Sequence, residues 1–92
     1  MAPVLKYLDF SKTFYLYTNV SGTGLETVLS QKGENEKEYI IAYASKGLTR
    51  AEQNYATTKL EYYAIIWGVE YFHHYLGYKP FIIITDHVTL YT

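Results

Sequence analysis

The stretch FIIIT, residues 81–85, decides the predicted fold. It is a continuous apolar run, which is typical of a strand buried on both faces of a sheet. The segment before it, about residues 50–76, has the period of one long helix. Because a strand that follows such a crossover helix usually returns parallel to an earlier strand, we predict that residues 81–85 pair in parallel with an upstream strand.

The limits of this long helix are indicated by residues at both ends. Thr49 and Glu52 have the spacing of a capping box, in which each side chain bonds to the backbone of the other residue. Gly77 is a natural residue for the end of a helix, and Pro80 prevents its continuation. One stripe of the helix is apolar apart from Glu61, and we expect that stripe to face the sheet.

Three aromatic and β-branched segments upstream are predicted to be strands joined by short loops. They are TFYLYT (13–18), LETVLSQ (25–31) and EYIIAYAS (38–45). An antiparallel meander is the simplest arrangement for strands with such short connections. The sequence therefore predicts an α/β fold in which residues 1–92 form a single domain. Its mixed sheet has three antiparallel strands, one long crossover helix and a fourth strand parallel to the first.

One helix covers only one face of such a sheet. The sequence ends at VTLYT, residues 88–92, where we expect a second helix to begin. We therefore predict either a domain that is truncated at its C-terminus or an association with another chain. The associating chain would be a second copy of this protein or a partner protein, and it would bind the uncovered face of the sheet and the edge of the last strand.

Composition and charge exclude several classes of function. The 92-residue chain has no cysteine, which excludes disulfides and zinc sites built on thiolates. Its net charge of −1 gives no overall attraction to nucleic acid or to anionic lipid, so any nucleic-acid contact must be local. No apolar run reaches the about 18 residues of a membrane span. Without a signal peptide at the N-terminus, we expect an intracellular location.

Three residues are predicted to converge at one rim of the sheet. Asn19 follows the first predicted strand, Asp86 directly follows the fourth, and Glu61 lies on the core-facing stripe of the helix. Ligands bind outside the carboxyl ends of parallel strands, and hard oxygen ligands suit Mg²⁺ or Mn²⁺. Glu61 and Asp86 are therefore candidate metal ligands. Alternatively, Glu61 sits at the margin of its stripe and reaches solvent, and Asp86 caps the next helix.

Other polar residues near this rim are candidates for nucleic-acid contacts, and each has a plainer interpretation. Ser21, Gly22 and Thr23 belong to a turn whose backbone amides suit phosphate, although glycine is also the ordinary turn residue. Arg50 belongs either to a local basic patch or to the solvated surface. His87, beside Asp86, either contacts a substrate or starts a helix.

Several motifs, in order, closely resemble one family. They are TNVSGTGLETVLSQ (18–31), IAYASKGLTRAEQNYATTKLEYYAIIWGVEYFHHYL (41–76) and KPFIIITDHVTL (79–90). They resemble the ribonuclease H domain that follows reverse transcriptase in the polyproteins of gypsy-type LTR retrotransposons. The usual family pattern has a Thr-Asp-Ala-Ser strand end, a Gly-x-Gly-Ala-Val-Leu strand, a helix that carries a Glu, and Thr-Asp-His.

The resemblance implies a ribonuclease H-like fold and cleavage of the RNA strand in RNA–DNA hybrids with two metal ions, Mg²⁺ or Mn²⁺. It implies metal ligation by Glu61 and Asp86. Asn19 takes the place of the first family Asp, and Glu26 replaces a small residue in the second strand. The fourth acid of the family lies on a later helix, beyond this segment.

The resemblance therefore leads to two hypotheses about function. In the first, the chain is a retrotransposon ribonuclease H domain whose activity is lost or impaired, because Asn19 lacks the charge of an aspartate. In the second, it is a domesticated or decayed domain without catalysis, which binds protein or nucleic acid or associates with itself.

Overall fold

The computed structural model describes residues 8–33, 35–77, 79–85 and 89–91. Within these ranges the chain forms five strands and three helices. They are β1 (Tyr15–Val20), β2 (Gly24–Lys32), β3 (Glu38–Gly47), α1 (Arg50–Gln53), α2 (Thr57–Tyr71), α3 (His73–Leu76), β4 (Ile82–Ile84) and β5 (Thr89–Tyr91). Each of the four predicted strands is present, with ends within two residues of the expected ones.

The described strands form one mixed sheet with the order β3-β2-β1-β4-β5. β1 pairs antiparallel with β2, and β2 pairs antiparallel with β3. β1 and β4 are parallel, with Leu16 opposite Ile83. The predicted α/β fold, including the parallel pairing after the crossover, is therefore confirmed.

The chain after β4 differs from the prediction, because it contains a strand where we expected a helix to begin. β5 pairs antiparallel with β4, with Leu90 opposite Ile83. Threonine, leucine and tyrosine favour a strand when an unpaired strand edge is available beside them. The prediction that the fourth strand is the edge of the sheet was therefore wrong.

The predicted long helix is divided into three. The capping box at its start is confirmed: Thr49 Oγ1 accepts a hydrogen bond from the Glu52 amide at 3.1 Å, and Glu52 Oε1 accepts one from the Thr49 amide at 2.9 Å. The chain then leaves the helix, and Ala56 is extended, with φ −60° and ψ 150°. This break lets Tyr55 pack against the apolar cluster around Leu60.

The core lies between α2 and the sheet. The most buried side of the helical segment repeats every four residues, and its members are Leu60, Ala64, Gly68, Phe72 and Leu76. A Cβ atom at Gly68 would lie 2.8 Å from Thr27 Oγ1 on β2, so only glycine allows this close approach. Thr27 Oγ1 is buried without a hydrogen-bond partner among the described residues.

The N-terminal turn is attached to β2 through Gln31, whose side chain is fully buried. Its Nε2 donates to the backbone oxygens of Asp9, at 2.6 Å, and Lys12, at 3.3 Å. Its Oε1 accepts from the Asp9 amide at 3.1 Å and from the Tyr39 hydroxyl at 3.3 Å. A buried amide is costly unless its hydrogen bonds are made, and here both ends of the side chain are satisfied.

Candidate functional site

Asn19 is the last but one residue of β1 and is exposed. Its neighbours Thr18 and Leu16 are buried beneath α2. Because side chains alternate along a strand, Asn19 lies on the opposite face of the sheet, which we call the open face. Directly across from it on β2 is Glu26, which is also exposed.

Glu61 lies in the second turn of α2 and is partly buried. Leu60, rather than Glu61, occupies the buried side of the helix, so Glu61 sits at the margin of the stripe. Its carboxylate lines a pocket of about 390 Å³, whose walls also include Thr18, Ser21, Tyr55 and Thr57. This pocket lies beside α2, and its lining is rich in hydroxyl groups.

Asn19 and Glu61 reach the same end of the sheet but line different pockets. Asn19 lines a smaller pocket of about 200 Å³ together with Glu26 and Val28. The two pockets share Thr18 and Thr85, so they lie on either side of the place where β1 and β4 end. The described structure thus brings the two predicted site residues to one rim without placing them in one cavity.

The other predicted ligand, Asp86, and the predicted contact residue His87 lie outside the described residues. In the part of the chain that is described, no three His, Cys, Asp or Glu side chains come together as a metal group. Asn19 offers a neutral oxygen, and Glu61 is the one described carboxylate of the predicted set. Asn19 and Glu61 alone therefore supply too few carboxylates for a two-ion centre, which needs several around both ions.

The turn between β1 and β2 is closed by its own side chain. Ser21 Oγ accepts hydrogen bonds from the amides of Gly24, at 3.0 Å, and Thr23, at 3.4 Å, and donates to the Gly24 oxygen at 3.2 Å. Those two amides therefore already have an acceptor within the turn. Ser21 and Gly22 also line the pocket of Glu61.

Arg50 is exposed at the first position of α1, and it does not belong to the lining of the Glu61 pocket. A different basic residue lies closer to α2: Lys46 donates a hydrogen bond to the Tyr63 hydroxyl and lies 3.7 Å from Glu52 Oε2. The bond to Tyr63 raises the pKa of Lys46. The pKa of Glu52 is lowered, and the largest cause is the hydrogen bond from the Thr49 amide. Through these contacts Lys46 connects β3 to α1 and to α2.

Sequence reasoning missed two features of the site. Tyr55 and Thr57 line the Glu61 pocket because the helix is broken just before α2, and a continuous helical pattern gave no sign of that break. The pairing of Asn19 with Glu26 was accessible from the sequence, because the short turn at residues 21–23 sets the register of the hairpin.

None of the helices in the described ranges combines the length and the apolar composition that crossing a bilayer requires.

The family model described as the RNase H-like domain found in reverse transcriptase matches residues 9–92.

Two similar relatives are the Transposon Tf2-3 and Tf2-4 polyproteins of Schizosaccharomyces pombe. Each is 40% identical over 90 residues, which cover 96% of this chain and 7% of the polyprotein. The chain therefore spans about 7% of the length of these curated relatives.

A solved structure with a similar fold is that of the foamy viral protease-reverse transcriptase in complex with RNA/DNA hybrid. It superposes with a TM-score of 0.70 at 14% sequence identity, and it covers 94% of this chain and 11% of that one. At this identity the likeness shows the fold alone.

Proposed function

The chain belongs to the RNase H-like domains found in reverse transcriptases, and on that premise we propose that it derives from a gypsy-type LTR retrotransposon polyprotein. Its inherited reaction is hydrolysis of the RNA strand in RNA–DNA hybrids. In this copy the reaction is impaired. The observation that carries the proposal is Asn19, near the end of β1, at the position where the family resemblance implies the first aspartate.

The impairment follows from the chemistry of position 19. In the family reaction, divalent ions activate the attacking water and stabilise the leaving oxygen. An asparagine keeps one oxygen donor of an aspartate but has no negative charge. Glu61 is retained at the same rim, and Asp86 is retained in the sequence. Mg²⁺ or Mn²⁺ would therefore bind more weakly than in a domain with an aspartate at position 19.

Substrate contacts are supported by the pocket beside α2. Hydroxyl groups of Thr18, Ser21 and Thr57 line it, and hydroxyl groups are common partners of phosphate and sugar oxygens in nucleic-acid complexes. Gly22 also lines it. We therefore expect the hybrid to lie across the turn at residues 21–23 and the start of α2.

The test is a cleavage assay on an RNA–DNA hybrid in Mg²⁺ and in Mn²⁺, with hybrid binding measured separately in EDTA. It uses a chain extended to include the later helix that carries the family's fourth acid. We expect little cleavage by the natural chain and at least about tenfold more by Asn19→Asp, since even the groups that support metal ligands affect metal affinity or activity by about 10–100-fold. Adding Glu61→Gln to Asn19→Asp should remove the gain. Glu70→Gln, on an exposed residue of α2, is the matched control.

If Asn19→Asp binds the hybrid but cleaves no faster than the natural chain, the proposal of an impaired nuclease is wrong. That result would favour a binding domain without catalysis.

A further inference from the structure

We propose that Lys46 is a positioning residue for the pocket beside α2, because it holds open the break between α1 and α2 from which Tyr55 and Thr57 line that pocket. The inference rests on the proposed function, since it concerns how the substrate pocket is shaped. It assigns a role to a residue that lies outside the pocket lining and outside the set that the family resemblance implies.

The first support is that the local sequence does not favour the break. Residues 54–56, between the two helices, contain neither proline nor glycine, where sharp kinks in helices are usually found. Ala56 is extended, with φ −60° and ψ 150°, and α2 has no side-chain cap. Alanine is the best helix former and a poor residue at a helix start. Contacts elsewhere in the fold must therefore stabilise the break.

The second support is the group of contacts that Lys46 makes across the break. Its ammonium donates a hydrogen bond to the Tyr63 hydroxyl of α2 and lies 4.8 Å from the centre of the Tyr63 ring. The same ammonium lies 3.7 Å from Glu52 Oε2 of α1. The Glu52 side chain is only 16% exposed, so water and salt screen this ion pair less than one on the open surface. One side chain of β3 thus contacts both helices.

The third support is that these contacts require the break. In a continuous helix, Glu52 and Tyr63 would lie about 16 Å apart along the axis, at about 1.5 Å per residue. Helical side chains also point towards the N-terminus, so Glu52 would point away from Tyr63. A single ammonium could then not contact both residues. The contacts of Lys46 and a continuous helix therefore exclude each other.

The fourth support is the place of the break in the wall of the pocket. Gln53, Tyr55 and Thr57 line the pocket together with Glu61, and they lie within the break or directly beside it. Closing the break would rotate these side chains relative to Glu61 and change the shape of the pocket. A residue that holds the break open therefore keeps the substrate-facing groups in place.

The first measurement follows the backbone of Ala56 by NMR in the ¹³C,¹⁵N-labelled 92-residue chain, without nucleic acid. The ¹³Cα chemical shift of an alanine distinguishes an extended from a helical backbone, and in the natural chain we expect the extended value. In Lys46→Met we expect the shift to move towards the helical value, because the contacts that oppose a continuous helix are lost. Lys37→Met is the matched control, since Lys37 is exposed in the hairpin at the other end of the sheet.

The second measurement is the affinity for a fluorescently labelled RNA–DNA hybrid in EDTA. We expect Lys46→Met, Tyr63→Phe and Glu52→Gln each to weaken binding by about 3–30-fold, the range for residues that act on a site without touching the ligand. Glu52→Gln separates positioning from simple charge. It removes a negative charge, which by itself would favour nucleic acid, and glutamine still completes the capping box with Thr49.

Three results would overturn the inference. One is an Ala56 shift in Lys46→Met that stays at the extended value of the natural chain. Another is a shift that becomes helical without any loss of hybrid binding. The third is stronger binding by Glu52→Gln, which would mean that charge alone determines the affinity. If Lys46→Met does not fold, Tyr63→Phe, which removes one hydroxyl, supplies the same two readings.

The inference and the proposed function fail in different ways. If Asn19→Asp cleaves the hybrid but Lys46→Met changes neither the Ala56 shift nor the binding, the proposed function stands and the inference is wrong. If Lys46→Met makes Ala56 helical and weakens binding but Asn19→Asp does not cleave, the inference stands and the nuclease proposal is wrong.

Discussion

The face of the sheet under α2 and the open face are built from alternate residues of the same strands, yet they are packed in different ways. Under α2, Leu16, Thr27 and Leu29 are almost completely buried, and the helix approaches them closely at Gly68. On the open face, Ile40 is 55% exposed, and the same face carries tyrosines, Asn19 and two glutamates.

This difference separates what maintains the fold from what determines the chemistry. A substitution under α2 changes packing in a tightly filled interior, where an added or lost methyl group affects stability. A substitution on the open face changes charge and hydrogen bonding beside water, where the effect on stability is small. Asn19 can therefore be replaced by aspartate without loss of the fold.

The largest effect is expected from Gly68→Ala in α2. The new methyl group would lie 2.8 Å from Thr27 Oγ1 and 3.6 Å from Leu16 Cδ2, so the helix must move away from the sheet. Overpacking of this kind typically costs about 1–3 kcal/mol. Urea unfolding should show a loss of that size in the free energy of unfolding.

The matched control for this prediction is the double variant Gly68→Ala/Thr27→Ala. Removing Thr27 Oγ1 eliminates the shortest contact and a buried hydroxyl that has no partner among the described residues. The double variant should recover part of the loss. A single Gly68→Ala variant as stable as the natural chain would show that the helix and the sheet are not in tight contact.

A smaller effect, dependent on pH, is expected at Tyr17 on the open face. Its hydroxyl donates to Glu38 Oε2, and burial together with this bond raises its pKa from 10.0 to about 12. The folded state thus favours the protonated phenol. The stabilisation, about 1 kcal/mol for such a bond, should be fully present below pH 10 and be lost as the pH rises through 12.

The measurement compares the natural chain with Tyr17→Phe across this pH range. The other tyrosines of the chain titrate in both proteins, so their effect cancels in the difference. We expect Tyr17→Phe to be less stable at neutral pH and the gap to close above pH 10. A gap that stays constant up to pH 12 would mean that the Tyr17 hydroxyl does not contribute through this bond.

The smallest effect on stability is expected from Asn19→Asp without added metal. The new carboxylate faces Glu26 across the strand pair, and such like-charge pairs cost about 0.2–1 kcal/mol. Thermal melting at low ionic strength should show a slight decrease that salt reduces by screening. The double variant Asn19→Asp/Glu26→Gln should melt like the natural chain. A decrease of several kcal/mol would mean that the open face is not as tolerant as proposed.

Much of the fold could be predicted because its signals are local. The capping box at Thr49, the apolar run before Thr85 and the crossover between them determine where the helical segment begins and why β4 is parallel to β1. The break at Ala56 and the strand β5 were not predicted. Both depend on contacts that form only in the folded state: the packing of Tyr55 against Leu60 and the pairing of β5 with β4.

The sequence led us to expect Asn19 and Glu61 at one end of the sheet, and the structure places both there. That a ligand binds at this end, as the carboxyl ends of parallel strands suggest, stays a prediction. The face that each side chain occupies was not predicted, because YLYTNV, residues 15–20, has large side chains on both faces of the strand. The burial of Leu16 and Thr18 beneath α2 assigns Asn19, and with it its cross-strand partner Glu26, to the open face.

The attachment of the N-terminal turn through Gln31 has a mechanical consequence. Gln31 lies within β2, and its amide holds the backbone of Asp9 and Lys12 by three of its hydrogen bonds. A tension applied to the chain ahead of residue 9 is therefore transmitted into β2 near the middle of the sheet, in addition to passing along the backbone into β1. Hydrogen bonds shielded from water resist such a load better than exposed ones. Gln31→Leu would leave the apolar contacts of the fold in place, but the N-terminal turn at Asp9 and Lys12 would detach from β2 under a smaller force.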